Sequence, residues 1–215
     1  MNKTLTIIMA ILLSLLLVGS AFAGEKGTMK KGSWFMEGGW TAGFSSQGGD
    51  LHKNTNGDSY TAMNFSPCAG YFFMDGLGIG ALIDFSSTKQ GDNKTSYFAF
   101  GPKAYYYIGA NKNDIEKSKL VPFVTASFTI GGETYKSKSG GTEYETKEKG
   151  YDIDFGLGGV YMLEKSLGVS AEVSYTIQSR KQKESKPTDT DWTDSVSGSV
   201  LGLGIGVKGF FSFGK

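Results

Sequence analysis

The feature that most restricts this chain is a period of two that recurs in eight segments after the first two dozen residues. Side chains alternate across a strand, so apolar residues at every second position mark one face of a sheet. The first segment, about 33–44, puts Trp34, Met36, Trp40, Ala42 and Phe44 on one face and Ser33, Glu37, Gly39, Thr41 and Gly43 on the other. The split recurs at about 60–73, 77–86, 95–108, 120–130, 151–162, 167–178 and 200–213. No stretch in this region offers a long helical stripe.

The connections follow a rhythm of their own. Met74-Asp75-Gly76 and 163–166 read as tight turns and 111–119 as a medium connection, whereas 45–59, 87–94, 131–150 and 179–199 read as long polar loops. Short turns alternating with long loops are the pattern of a barrel that crosses an outer membrane. The expected fold is therefore all-β, an eight-stranded antiparallel transmembrane up-and-down β-barrel. With an even strand number both chain ends fall on the periplasmic side.

Alternation alone also fits a soluble sandwich or barrel with its apolar face inward. Side-chain volume decides between them. The apolar faces carry Trp34, Tyr71, Phe73, Tyr106, Tyr161, Phe211 and Phe213 near strand ends, while the other faces are rich in Gly, Ser and Thr. An eight-stranded barrel holds only modest side chains inside, so this many large residues overfill it. Turned outward, they meet lipid, and the aromatic residues form the interfacial girdles. Backbone groups at membrane depth must all be paired, which requires the sheet to close.

The small faces also carry charges of both signs. Glu37 and Glu172 are expected to pair with Lys103 and Lys208 across the lumen, plugging it rather than opening it, with Asp84, Asp152 and Asp154 nearer the external rim.

The N-terminus explains how such a chain reaches that membrane. Lys3 precedes an apolar run from Leu5 to Val18, and Ala21-Phe22-Ala23 supplies the small pair of a cleavage site. The run is shorter than the ~20 residues that span a bilayer as a helix, so residues 1–23 read as a signal peptide and 24–215 as the barrel. Lys3 is the only charged residue removed, leaving equal numbers of acidic and basic side chains. A balanced charge offers no case for a nucleic-acid partner. Cys68 is the one cysteine, so an internal disulfide cannot form.

Other motifs carry little chemistry. The run Gly202-x-Gly204-x-Gly206-x-x-Gly209 lacks the strand–turn–helix setting of a dinucleotide site. His52, the single histidine, sits among Asp50, Lys53 and Asn54 in a polar loop with no evident nucleophile. Asp189, Asp191 and Asp194 read as a solvated acidic loop rather than a calcium site. No catalytic, cofactor-binding or metal-ligating residue is expected. Around Thr134–Lys149, Tyr135, Tyr144 and several lysines suit either a surface partner or lipopolysaccharide phosphates.

Asn64-Phe65-Ser66-Pro67-Cys68-Ala69-Gly70-Tyr71-Phe72-Phe73, then Asp75-Gly76-Leu77-Gly78-Ile79-Gly80, resembles the outer-membrane β-barrel domain family that includes OmpA- and OmpX-type eight-stranded barrels. Gly101-Pro102-Lys103-Ala104-Tyr105-Tyr106-Tyr107 and Leu120-Val121-Pro122-Phe123-Val124 carry the same likeness. The resemblance implies an outer-membrane location, contact with outer-membrane lipids and lipopolysaccharide, and recognition by the barrel-assembly machinery through a terminal aromatic. Phe211 and Phe213 occupy that place, although Gly214-Lys215 follow and Lys208 stands where the family has glycine. The functional expectation is a non-enzymatic barrel with a structural or adhesin-like role through its external loops. A narrow small-solute pore is the main alternative, ahead of a periplasmic lipid-binding barrel or a lipid-A-modifying enzyme.

Overall fold

The computed structural model describes residues 29–39, 45–47, 60–109, 119–164 and 166–212. The expected signal peptide, His52, Phe213 and most of 45–59 lie outside the described residues. The strands are β1 (Trp34–Gly39), β2 (Ser45–Gln47), β3 (Tyr60–Met74), β4 (Leu77–Gln90), β5 (Asn93–Tyr107), β6 (Leu120–Ser139), β7 (Thr142–Glu164), β8 (Leu167–Lys186) and β9 (Val196–Phe211).

Each strand pairs antiparallel with its sequence neighbour from β3 to β9. The ring closes through β1, whose Glu37 lies opposite Lys208 of β9 on one side and Cys68 of β3 on the other. β2 pairs with Tyr60–Ala62, farther along β3 than the stretch β1 occupies. The two segments therefore share one place in the ring, giving eight antiparallel strands. Among the described residues, β1 closes the ring where Trp34–Gly39 lie between Gly206–Phe211 of β9 and Ser66–Tyr71 of β3, and closure pairs the backbone as lipid demands.

The outward rows are apolar over a limited height. On β6 they run from Leu120 to Ile130, and on β7 from Tyr151 to Leu163. That is close to the 9–11 residues a tilted strand needs to cross a membrane. Trp34 and Tyr71 meet edge-on at 5.3 Å on the rim that carries the Asp75-Gly76 turn, while Phe128 and Tyr151 lie 5.9 Å apart on the opposite rim.

Two expectations need correction. The first concerns the loops. Stretches 87–94 and 131–150, expected as loops, are strand almost throughout, and 179–199 is strand as far as Lys186 and again from Val196. Gly140 and Gly141 both take positive φ, 58° and 85°, and so close a two-residue turn between the paired Ser139 and Thr142. That backbone matches the twist of a hairpin. Such polar ribbons have no apolar face, so hydropathy alone could not separate them from loops. The result is a three-stranded extension in which β6, β7 and β8, of 20, 23 and 20 residues, rise well beyond the apolar band.

The second correction concerns the interior, which is not small-residued throughout. Phe35, Phe72, Tyr105, Tyr107, Phe123 and Phe210 all point inward near the short-turn end and are fully buried. Neighbouring glycines make the room. A Cβ on Gly78 would stand 2.9 Å from the Phe35 ring, and one on Gly158 would stand 2.6 Å from the Phe123 ring. Large and small residues thus alternate around the inner wall, so the rings fit where a uniform set of large residues would not.

Candidate functional site

The lumen is built in three layers. At the periplasmic end the aromatic residues touch in a continuous cluster. Phe35 lies 5.2 Å from Phe72 and 4.9 Å from Tyr105, and Tyr107 lies 5.5 Å from Phe123 and 5.8 Å from Phe210. Tilted and edge-on rings at such spacings fill the cross-section with favourable contacts. Met29, Val121 and Val160 complete the packing.

Charges sit on this floor. Glu37, Lys103, Glu172 and Lys208 come from β1, β5, β8 and β9, and closure of the ring brings them together. Lys208 is 3.2 Å from Glu37, and Lys103 is 3.9 Å from Glu37 and 3.5 Å from Glu172. The Tyr105 hydroxyl donates to Glu37, and Thr125 donates to Glu172 at 2.8 Å. The Lys208 side chain is only 2% exposed, with its ammonium 4.0 Å from the centre of the Phe123 ring and 4.5 Å from that of Tyr105. A cation so deeply desolvated persists only with paired anions and ring faces around it.

Above the charges the lumen opens toward the external side. Two contiguous cavities of about 350 and 240 Å³ share Leu82, Asp84 and Asp154. Asp84 accepts from Ser66 at 2.7 Å, and Asp154 accepts from Ser127 at 2.9 Å and from Thr176. Arg180 reaches Asp152 at 2.6 Å, and the Tyr97 hydroxyl donates to the same carboxylate at 2.9 Å. The sequence pattern places Arg180 in a polar loop; with 179–186 as strand, period two points it inward beside Gln178.

The inward rings also carried a legible signal. Counting by twos from Glu37 reaches Phe35, from Lys103 reaches Tyr105 and Tyr107, and from Lys208 reaches Phe210. Of the two terminal aromatics, Phe211 lies opposite Trp34 at the ring's seam. Asp189 faces Lys183 at 2.8 Å rather than Asp191 or Asp194, and among the described residues no three side chains converge as metal ligands.

The external extension holds one well-partnered carboxylate. Glu145, outside the apolar band, meets Lys136 at 2.8 Å, Lys147 at 3.0 Å and the Ser185 hydroxyl at 2.9 Å. Hydrogen bonds from Lys136, then Lys147, then Ser185 hold its carboxyl down to about 2. Because the folded value lies below that of a free glutamate, these pairs stabilise the hairpin fully above about pH 4.5 and are lost as pH falls toward 2. The lysines are solvent-exposed, so the contribution is screened and small. A carbon-13 titration of the Glu145 carboxyl is expected to give a midpoint near 2. In K136Q/K147Q the midpoint should return toward about 4.3.

Comparison with known proteins fits this architecture. The chain matches the family model described as outer membrane protein beta-barrel domain over residues 9–208. A search of curated proteins finds no match. Among solved structures, the outer membrane protein OprG from Pseudomonas aeruginosa aligns with a TM-score of 0.52 at 17% identity, covering 88% of this chain and 100% of that one. The N-terminal barrel domain of Pseudomonas aeruginosa OprF aligns at 0.43 and 14% identity, over 84% of this chain and 98% of that one. Neisserial surface protein A aligns at 0.41 and 15% identity, over 83% and 97%. With 200 of its residues inside one family model and its strands closed in a ring of eight, the chain belongs to the outer membrane protein β-barrel domain family.

Proposed function

We propose that this protein is a non-conducting, non-enzymatic barrel of the outer membrane, whose closed wall supports the β6–β7–β8 extension for a structural or adhesive role at the cell surface. The observation that carries the reading is the filled cross-section at the short-turn end, where an aromatic floor lies directly beneath a paired charge layer. The extension supplies the surface, since it stands beyond the membrane band and ends in a tight glycine turn. In this reading Phe211 and Phe213 serve during biogenesis as the aromatic signal met by the assembly machinery.

Planar-bilayer recording tests the closed lumen. The protein is expected to give no discrete conductance steps, whereas F35A/F72A/Y107A, which removes three of the six rings of the floor, is expected to give them. Ohmic steps from the unaltered protein would transfer the assignment to a small-solute pore.

A further inference from the structure

Charge balance differs between the two levels of the lumen. At the floor Glu37 and Glu172 are matched by Lys103 and Lys208, so that level is neutral. Above it Asp84, Asp152, Asp154, Glu133 and Glu148 line the outer cavity of about 350 Å³, where Arg180 is the only cation among the described residues. Arg180 is already committed to Asp152, at 2.6 Å. Asp84 and Asp154 also line the inner cavity of about 240 Å³, so the negative excess reaches down toward the neutral floor.

Four of the five carboxylates form no ion pair among the described residues. Asp84 accepts from Ser66, and Asp154 from Ser127 and Thr176, but these donors are neutral hydroxyls. Glu133 and Glu148 stand directly opposite each other in the β6–β7 register, where like charges destabilise a sheet. Burial first, then the Glu148 charge, pushes the Glu133 carboxyl up. Asp152 adds an open acceptor. Its side chain is 9% exposed, and its Oδ1, although close to Arg180, accepts no hydrogen bond. A buried acceptor without a donor costs free energy, and this one belongs to the cavity wall.

The spacing of these groups selects the ligand. Asp154, Asp152 and Glu148 all face inward from β7, and strand rise puts Glu148 roughly 20 Å beyond Asp154. The charges are strung along the lumen rather than gathered at a point. A single metal ion gains little from such an array, and among the described residues no three side chains converge as metal ligands. A long cation with several ammonium groups instead meets carboxylates at successive levels, each through charge-assisted hydrogen bonds. Between the charges, Thr129 and Gln178 offer further acceptors, while Leu82 and the Tyr97 ring offer apolar surface to a methylene chain.

We propose that the externally open lumen binds a linear aliphatic polyamine, its ammonium groups meeting Asp84 and Asp154 below and Asp152, Glu133 and Glu148 above. The site goes beyond the surface role and does not depend on it, since conductance reads the floor and polyamine binding reads the cavity over it.

The test titrates the full folded protein in zwitterionic micelles, by calorimetry at low ionic strength. The probes are spermidine, butylamine as a single-charge comparator, and magnesium ion alone. Spermidine is expected to bind about tenfold or more tightly than either comparator, as several charged hydrogen bonds exceed one. Its methylene protons are expected to give nuclear Overhauser contacts to the Tyr97 ring. The variant D84N/D154N should bind spermidine about 100-fold more weakly, roughly tenfold for each charged hydrogen bond weakened. E133Q/E148Q should also lose affinity, and without ligand it should be at least as heat-resistant as the unaltered protein, because repulsion is relieved. It carries the test if D84N/D154N fails to fold. E143Q/D189N, whose carboxylates pair with Lys186 and Lys183 away from the cavity lining, should bind normally. Magnesium binding as tight as that of spermidine, unchanged affinity in E133Q/E148Q, or an equal loss in E143Q/D189N would overturn the assignment.

Discussion

Replacing Glu37 by glutamine is expected to lower the stability of the folded barrel by about 3–5 kcal/mol, the range for breaking a buried pair by removing one partner. Glu37 is the carboxylate that meets Lys208 at 3.2 Å, Lys103 at 3.9 Å and the Tyr105 hydroxyl. Without it Lys103 keeps Glu172 at 3.5 Å, but Lys208 loses its close carboxylate partner and is left as a desolvated cation against the Phe123 and Tyr105 rings. Removing both charges is expected to behave differently. An E37L/K208M barrel should recover most of the loss, because a well-packed apolar pair avoids the desolvation that the ion pair must offset. Guanidinium unfolding in detergent micelles measures both. A single variant that unfolds with the unaltered protein would remove any structural role for the network.

The aromatic floor predicts a second large loss. Phe72→Ala should cost about 3–5 kcal/mol, since the ring is fully buried and the space it leaves cannot collapse. Phe35, Tyr107 and Phe210 surround it at 5.2, 5.8 and 6.2 Å between centroids, and each is anchored on a different strand of a closed ring. Phe98→Ala is the matching control. Phe98 is half exposed on the lipid side, where acyl chains fill the vacancy and no cavity remains, so its loss should be smaller. The same unfolding measurement compares them, and equal losses would show that the floor is loosely packed.

Much of this architecture is legible in the sequence. The parity of Val169, Ala171, Val173 and Tyr175 against Ser170, Glu172 and Ser174 sets which side of β8 meets lipid, because a strand cannot show both sets to one environment. The same parity placed Glu37, Lys103, Glu172 and Lys208 on the inner wall. It also contained Phe35, Tyr107 and Phe210, but the expectation of a small-residued lumen obscured them. Residues 131–150 and 179–186 differ from the loops that the sequence pattern suggests for a different reason. A ribbon exposed on both faces has no hydrophobic alternation, and charge pairs such as Lys136 with Glu145 become visible only once the strands are in register.

The sequence by itself determined that eight alternating strands must close and face lipid, because period two and unpaired backbone at membrane depth permit little else. Only the tertiary structure decided which inner charges meet and what fills the lumen. It also decided where the outward lysines line up. Those outcomes depend on the stagger between strands distant in sequence, which sets whether Glu37 of β1 reaches Lys208 of β9 and whether Lys149 of β7 stands beside Lys181 of β8. Local patterning specifies a face, while register specifies a neighbour.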